Sequence, residues 1–192
     1  MKTSTRSLLA ALPLLCATLA LAQHQTLTVS PDASSIKFLL PSNHDPTNGT
    51  FHVTKGTVDF DRTSPSMSGL IVVDAGSGNS DNSARDKKMT AQVLEATKFS
   101  NVTFAPQSYT GTLAPSGDST LQVTGIFTLH GTPHPLTVPM QIHIDGSRFT
   151  ASTHFTVPYV DWGLKDPSWF VLKVAKQVDI DLNLTGSLSP AN

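Results

Sequence analysis

Apolar and polar residues alternate with a period of two through most of the chain after residue 24. That period sends successive side chains to opposite faces of a pleated strand, whereas a helix needs apolar residues three and four apart. Ile36, Phe38 and Leu40 share one face of a first strand. Leu121, Val123, Phe127 and Leu129 follow the same rule, as do Leu136, Val138, Met140, Ile142 and Ile144. Phe149, Ala151, Thr153, Phe155 and Val157 continue it. Gly, Pro, Asn, Asp and Ser fall between these runs, the punctuation expected of turns in an antiparallel sheet. No internal repeat or linker-like stretch divides the chain. One all-β domain is therefore expected, with an apolar and a polar face to each strand.

Some segments demand more than a plain strand. Phe51 and Val53 share a face, while Val58 and Phe60 share one of opposite parity. A bulge at Lys55-Gly56 would return both pairs to the same side. Residues 70–73 are a short apolar run followed by a turn-rich stretch, and Val102 and Phe104 begin another strand. In the last run Phe170, Leu172, Val174, Val178, Ile180, Leu182 and Leu184 all occupy even positions. Unbroken, that strand would span roughly 50 Å at about 3.3 Å per residue, so it is expected to bend, bulge or serve two regions of sheet. One segment departs from the period of two. Ser83 followed by Asp86 has the form of a helix start, with Ser83 as the N-cap. Met89, Val93 and Leu94 are spaced as on a helix, which predicts one short helix or two broken ones between residues 83 and 97.

About eight or more strands with one helical insertion point to a closed or nearly closed antiparallel barrel, because closure removes exposed edges. Eight strands enclose a space that side chains just fill or that holds a small ligand. The inward residues are mostly aliphatic or Phe, and they offer about 25 cal/mol per Å² of buried surface to a hydrocarbon. They offer nothing to an ion or a sugar. Alternation alone does not separate a filled core from a ligand cavity.

The first residues predict export. Residues 1–7 carry Lys2 and Arg6 and no acid, residues 8–22 are almost wholly apolar, and Ala20-Leu21-Ala22 precedes Gln23 as a small-residue cleavage site. These are the three parts of a secretory signal peptide, and the run is short of the roughly 20 apolar residues of a membrane span. The expected division is a signal peptide at 1–22 and a single domain at 23–192. Cys16, the one cysteine, lies within the leader, so the processed chain is expected to hold neither disulfide nor thiolate. Loss of Lys2 and Arg6 from the 13 Lys and Arg leaves the 14 Asp and Glu in excess. An acidic balance is no footprint for nucleic acid, and no basic amphipathic helix suggests a membrane surface.

Several stretches are shared with a known family. Residues 49–61 read GTFHVTKGTVDFD, residues 77–89 SGNSDNSARDKKM and residues 98–104 KFSNVTF. Residues 123–136 read VTGIFTLHGTPHPL and residues 161–164 DWGL. In order and spacing these resemble the YceI-like polyisoprenoid-binding proteins across most of the chain. The pattern departs at Lys88, where the family has His, and at Val93-Leu94-Glu95. The resemblance implies a lipocalin-like extended antiparallel β-barrel, exported to the periplasm, with a long isoprenoid, quinone or similar amphiphile threaded through its lumen.

The candidate ligand-binding residues are Phe38, Phe51, Phe104, Phe127, Met140 and Phe155 along the inward face, Trp162 and Phe170 before the last strand, and the polar Arg85, Asp86 and Lys176. Arg85 and Asp86 read either as a clamp for a head group at the barrel mouth or as a brace within their own loop. Lys176, the one charge in the apolar register of the last strand, either enters the lumen or marks a bulge or barrel end. Trp162, Trp169 and Phe170 either stack on a ligand or plug one end.

Metal and catalytic chemistry find little support. His130 and His134 are four apart, but Gly131 and Pro133 rule out the helix that zinc ligation at that spacing needs. Residues 74–82 are oxygen-rich without the calcium-loop spacing, and are expected to be a solvated turn. His24 is expected to lie in a disordered start. Asn48, Asn101 and Asn183 begin N-x-Ser/Thr triplets, relevant only to a eukaryotic secretory route. The nucleophile elbow, phosphate-binding loops and H-E-x-x-H are missing, and no cofactor is expected. Three functions compete: a carrier of a long-chain amphiphile, an interaction or stress-response module with a filled core, and an exported enzyme in which Arg85, Asp86 and a histidine converge. None calls for nucleic acid or for a membrane span after processing, and the sequence leaves a homodimer open.

Overall fold

The computed structural model describes residues 24–190, so the predicted leader, Cys16 and the cleavage site lie outside the described residues. Nine strands follow one another: β1 (His24–Val29), β2 (Ser35–Leu40), β3 (Thr47–Asp61), β4 (Ser64–Asn79), β5 (Asn101–Thr110), β6 (Gly117–Leu129), β7 (Thr132–Asp145), β8 (Arg148–Val157) and β9 (Val178–Pro190). Each is antiparallel to its neighbours. β1 and β2 share one place in the ring. Leu27 of β1 faces Val58 and Leu188, and Phe38 of β2 faces Gly49 and Ile180, so both strands lie between β3 and β9. A 3-10 turn, Pro31–Ala33, separates them, with Pro31 at its start where no donor is required. Pairing of β3 with β4 closes the ring. The result is a closed eight-membered antiparallel barrel, in keeping with the about eight or more strands that the alternation predicts.

Local chemistry explains the turns and bends. Between Leu129 and Thr132 the hairpin turn is two residues, His130 with φ 52° and Gly131 with φ 75°. Two left-handed residues give the mirror-image turn whose twist matches that of the strands it joins. The expected bulge in β3 is present one residue early. Val53 faces Val73 and Lys55 faces Val72, leaving Thr54 as the extra residue, its hydroxyl donating to the Val72 carbonyl at 3.1 Å. Val53, Val58 and Phe60 are consequently all buried.

Four expectations are corrected. The last strand begins only at Val178. Phe170, Leu172 and Val174 lie in the preceding loop, where a φ of 22° at Phe170 is incompatible with extended backbone. Their even spacing continues the alternation without the backbone that gives it meaning. The turn expected from residue 74 starts later, because β4 runs on to Asn79 as the longest strand, with 16 residues. Helix α1 (Ser83–Lys88) is capped by Asn82, whose side chain accepts from the Arg85 amide at 3.0 Å, and not by Ser83. Asp86 reaches back instead to the Ser80 amide and hydroxyl. A π-helical turn, Met89–Val93, prolongs the helix, so the insertion is one continuous piece. His24 is ordered at the start of β1, its Nε2 3.3 Å from Asp61.

Packing differs between the two ends of the barrel. At the end formed by the β3–β4 and β7–β8 turns, Phe60, Leu121, Val123, Ile144, Phe149 and Leu188 fill the interior, with Leu121 and Ile144 at 1% exposure. Burying each such side chain contributes about 1.5–3 kcal/mol. At the other end a smaller cluster of Val93, Leu129, Val157, Tyr159 and Leu164 packs under the helical insertion and the β8–β9 loop.

Candidate functional site

Between these two clusters lies a cavity of about 680 Å³. That volume falls within the range of sites that enclose small molecules. Strands β2 to β9 all contribute to its wall. On each strand the lining stops where the filled core begins. Ile36, Ile71, Phe104, Met140, Thr153 and Leu182 form the floor. Ile71, Phe104 and Met140 also border a second, apolar void of about 50 Å³ below it. Above the floor come Phe38, Val73, Phe127, Val138, Phe155 and Ile180. Polar groups gather only toward the opening, where Ser42, His44, Asp45, Arg85 and Lys88 join the lining. Thr103 and Thr153 are the exceptions along the wall, and Thr153 is buried with no hydrogen-bond partner for its hydroxyl.

The rim is built from three segments that sequence spacing does not connect. Asn43, in the β2–β3 loop, clasps the β8–β9 loop with its whole amide. Its Nδ2 donates to the Val171 carbonyl and its Oδ1 accepts from the Lys173 amide, each at 2.9 Å. Tyr159 lines the cavity and donates its phenol proton to the Ala175 carbonyl at 2.8 Å. Burial pushes this phenol up to about 12, so it stays a donor through the neutral range. Asp166, held below the usual carboxylate range by hydrogen bonds from Ser168, shapes the same loop. On the helical side Lys88 Nζ reaches the Pro167 carbonyl at 3.3 Å.

Tyr159→Phe is expected to cost about 1–2 kcal/mol, because the Ala175 carbonyl loses its donor. A phenol pKa raised on folding contributes stability that is whole below pH 10 and lost as pH rises toward 12. Urea unfolding across that interval should therefore show a shallower alkaline decline in the variant than in the parent.

Of the residues predicted from sequence, Phe38, Phe51, Phe104, Phe127, Met140 and Phe155 line the cavity together, and Arg85 stands at its mouth. Four lie elsewhere. Asp86 turns to Ser80, and Arg85 itself donates from Nε and a terminal nitrogen to the Ser80 hydroxyl and carbonyl, both at 2.7 Å. The pair thus braces its own loop, with the Arg85 stem left on the cavity side. Trp162 stacks on His134 at 3.9 Å and packs 5.8 Å from Phe127, behind the wall. Phe170 is 86% exposed. Lys176 is exposed in the β8–β9 loop, beyond the end of the barrel. Asn43 and Tyr159 carry no sequence signal of a site role, and Thr153 shows only the parity of an inward strand face. Asn43 reads as an ordinary turn residue, because its partners are some 130 positions away.

The carboxylate–imidazole pairs Glu95–His130, Asp118–His143 and Asp181–His154 all lie away from the cavity wall. Glu95 and His130 tie the end of the helical insertion to the β6–β7 turn, with Phe99 packed 4.2 Å from the His130 ring.

The model of the YceI-like domain matches residues 27–186, from within β1 to β9. The chain belongs to the YceI-like family. A UPF0312 protein of Pseudomonas fluorescens is 30% identical over 149 residues, covering 72% of each chain. One of Pseudomonas putida is 28% identical over the same length. Among solved structures, BcnA of Burkholderia cenocepacia superposes with a TM-score of 0.66 at 20% identity, covering 82% of this chain and 99% of its own. A polyisoprenoid binding domain from Saccharophagus degradans, implicated in plant cell wall breakdown, gives 0.67 at 17% identity, covering 85% and 98%. The YceI-like stretches now have structural roles. Residues 49–61 form the bulged β3. Residues 77–89 form the braced loop and α1. Residues 123–136 form the β6–β7 hairpin. Residues 161–164 form the turn that buries Leu164 under the rim.

Proposed function

We propose that this YceI-like protein is an exported carrier that holds a long apolar chain, of isoprenoid or quinone type, in the barrel with its polar head at the mouth. The observation that carries the reading is the distribution of chemistry along the cavity. Aliphatic and aromatic side chains surround a volume of about 680 Å³, while Arg85, Lys88, His44 and Asp45 stand at its opening. Each methylene transferred from water to such a wall gains about 0.8 kcal/mol, and a charged or carbonyl head remains near water and cations. The polyisoprenoid binding domain of Saccharophagus degradans, with the same fold, agrees in ligand class. Residues 1–22 supply the features of a secretory signal, which suits a periplasmic or secreted carrier.

The reading is tested by organic extraction of the purified processed protein from a membrane-containing host, with mass spectrometry of the extract. A stoichiometric isoprenoid, quinone or fatty chain is expected. A blank extract from folded protein, combined with no uptake of added long-chain isoprenoid or quinone, would discard it in favour of a surface function.

A further inference from the structure

The β8–β9 loop carries the largest exposed apolar feature of the described residues. Trp169 is 74% exposed, Phe170 86% and Val171 65%, in one continuous tip. The tip is a built hairpin. Trp169 and Leu172 exchange both backbone hydrogen bonds, at 2.8 and 2.6 Å, and Asn43 holds the Val171 carbonyl from the neighbouring loop. Pro167, Leu172 and Val174, which frame it, line the cavity, so the tip stands beside the opening. Lys165, Lys173 and Lys176 are exposed in the same loop, and Lys88 reaches its Pro167 carbonyl from α1. From residue 165 to residue 176 the only acid is Asp166, which accepts from Ser168 and lies near Lys173 and Lys176, so the three lysines of this stretch outnumber its acids by two.

We infer that this tip docks the protein on an anionic lipid surface, with Trp169, Phe170 and Val171 entering the headgroup–acyl boundary and the lysines meeting lipid phosphates. Indole and phenyl side chains favour that boundary, and basic residues beside an anionic surface each strengthen attachment. Solvated apolar groups on a water-facing turn are otherwise costly, and the excess of lysine over acid in the loop matches the charge of such a surface. The inference stands on the tip alone. Where the cavity holds a lipid, as proposed above, docking brings the opening to the acyl layer and spares the ligand a passage through water.

The test uses residues 23–192, which contain every strand of the closed barrel, with vesicles of phosphatidylethanolamine and phosphatidylglycerol against vesicles of phosphatidylcholine. Co-sedimentation with the anionic vesicles is expected, accompanied by a blue shift of tryptophan emission that Trp169→Phe abolishes. Phe170→Asp and Val171→Asp, at exposed positions that leave the fold intact, should each lower vesicle partition tenfold or more. Lys165→Gln, Lys173→Gln and Lys176→Gln should each lower it about fivefold on the anionic vesicles, with little change on the neutral ones. Unchanged partition of folded Phe170→Asp, or no binding of the parent to either vesicle, overturns the inference. So does sedimentation that finds a dimer dissociated by Phe170→Asp, since the tip would then be covered by a second copy. Lipid extraction reads the cavity separately, so a carrier with an inert tip and a docking protein with an empty barrel give different results.

Discussion

Phe127→Asp is expected to destabilise the protein by about 3–5 kcal/mol and to abolish retention of any apolar ligand. Phe127 lines the cavity, packs edge-on against Phe155 at 6.1 Å and supports Trp162 at 5.8 Å. The substitution removes a ring whose loss alone costs that much, and puts a carboxyl group among aliphatic side chains. Desolvation raises the pKa of such a carboxyl in the folded state, so its ionised form is penalised there. The deficit should therefore grow as pH rises above about 4. Urea midpoints at acidic and neutral pH measure both effects. Phe127→Leu, which keeps the wall apolar, should lose about 1.5 kcal/mol or less. Equal midpoints for the Asp variant and the parent at neutral pH would mean that this position does not face the interior.

Gly186→Val is expected to have the largest effect outside the cavity. Gly186 lies in β9 between Val29 of β1 and Phe149 of β8. A Cβ there would sit 2.0 Å from the Thr28 carbonyl oxygen and 2.8 Å from the Phe149 ring. The first of these is backbone and cannot swing aside. The strands must separate, at a cost of about 3 kcal/mol or more. For a domain of this size that lowers Tm by about 6–12 °C. Gly117→Ala is the contrast: Gly117 has φ 82° with no atom within 4 Å of a would-be Cβ, so only backbone strain of about 1 kcal/mol applies. Similar melting of the two variants would contradict the close approach of β1 and β9.

The legibility of the site followed the physics of each signal. The six inward residues from Phe38 to Phe155 were readable because strand parity ties sequence position directly to face. Parity failed at Phe170 because it persists in letters when the backbone leaves the strand, and the exposed tip that resulted has a character opposite to the one expected. The choice between the two readings open for Trp162 and for Asp86 was illegible for another reason. Their partners, His134 and Ser80, are chosen by loop geometry, and an aromatic or a charge carries no period that reveals its direction.

Alternation and turn residues by themselves determined an all-β chain of about eight or more strands, the need for a bulge in β3 and the helical insertion, because these depend on local backbone preference and on the requirement to bury one face. That nine strands close into an eight-membered ring, with β1 and β2 sharing one place, came from tertiary pairing. Whether the interior was filled or hollow was decided only by tertiary structure. Both outcomes occur in one barrel. Leu121, Ile144 and Phe149 meet across one end, while at the other the β8–β9 loop and α1 hold the strands' apolar faces around open space. The same alternating aliphatics line both halves. Their distance across the barrel depends on closure, stagger and the loops pinned by Asn43 and Tyr159, contacts between residues too far apart in sequence for any local pattern to encode.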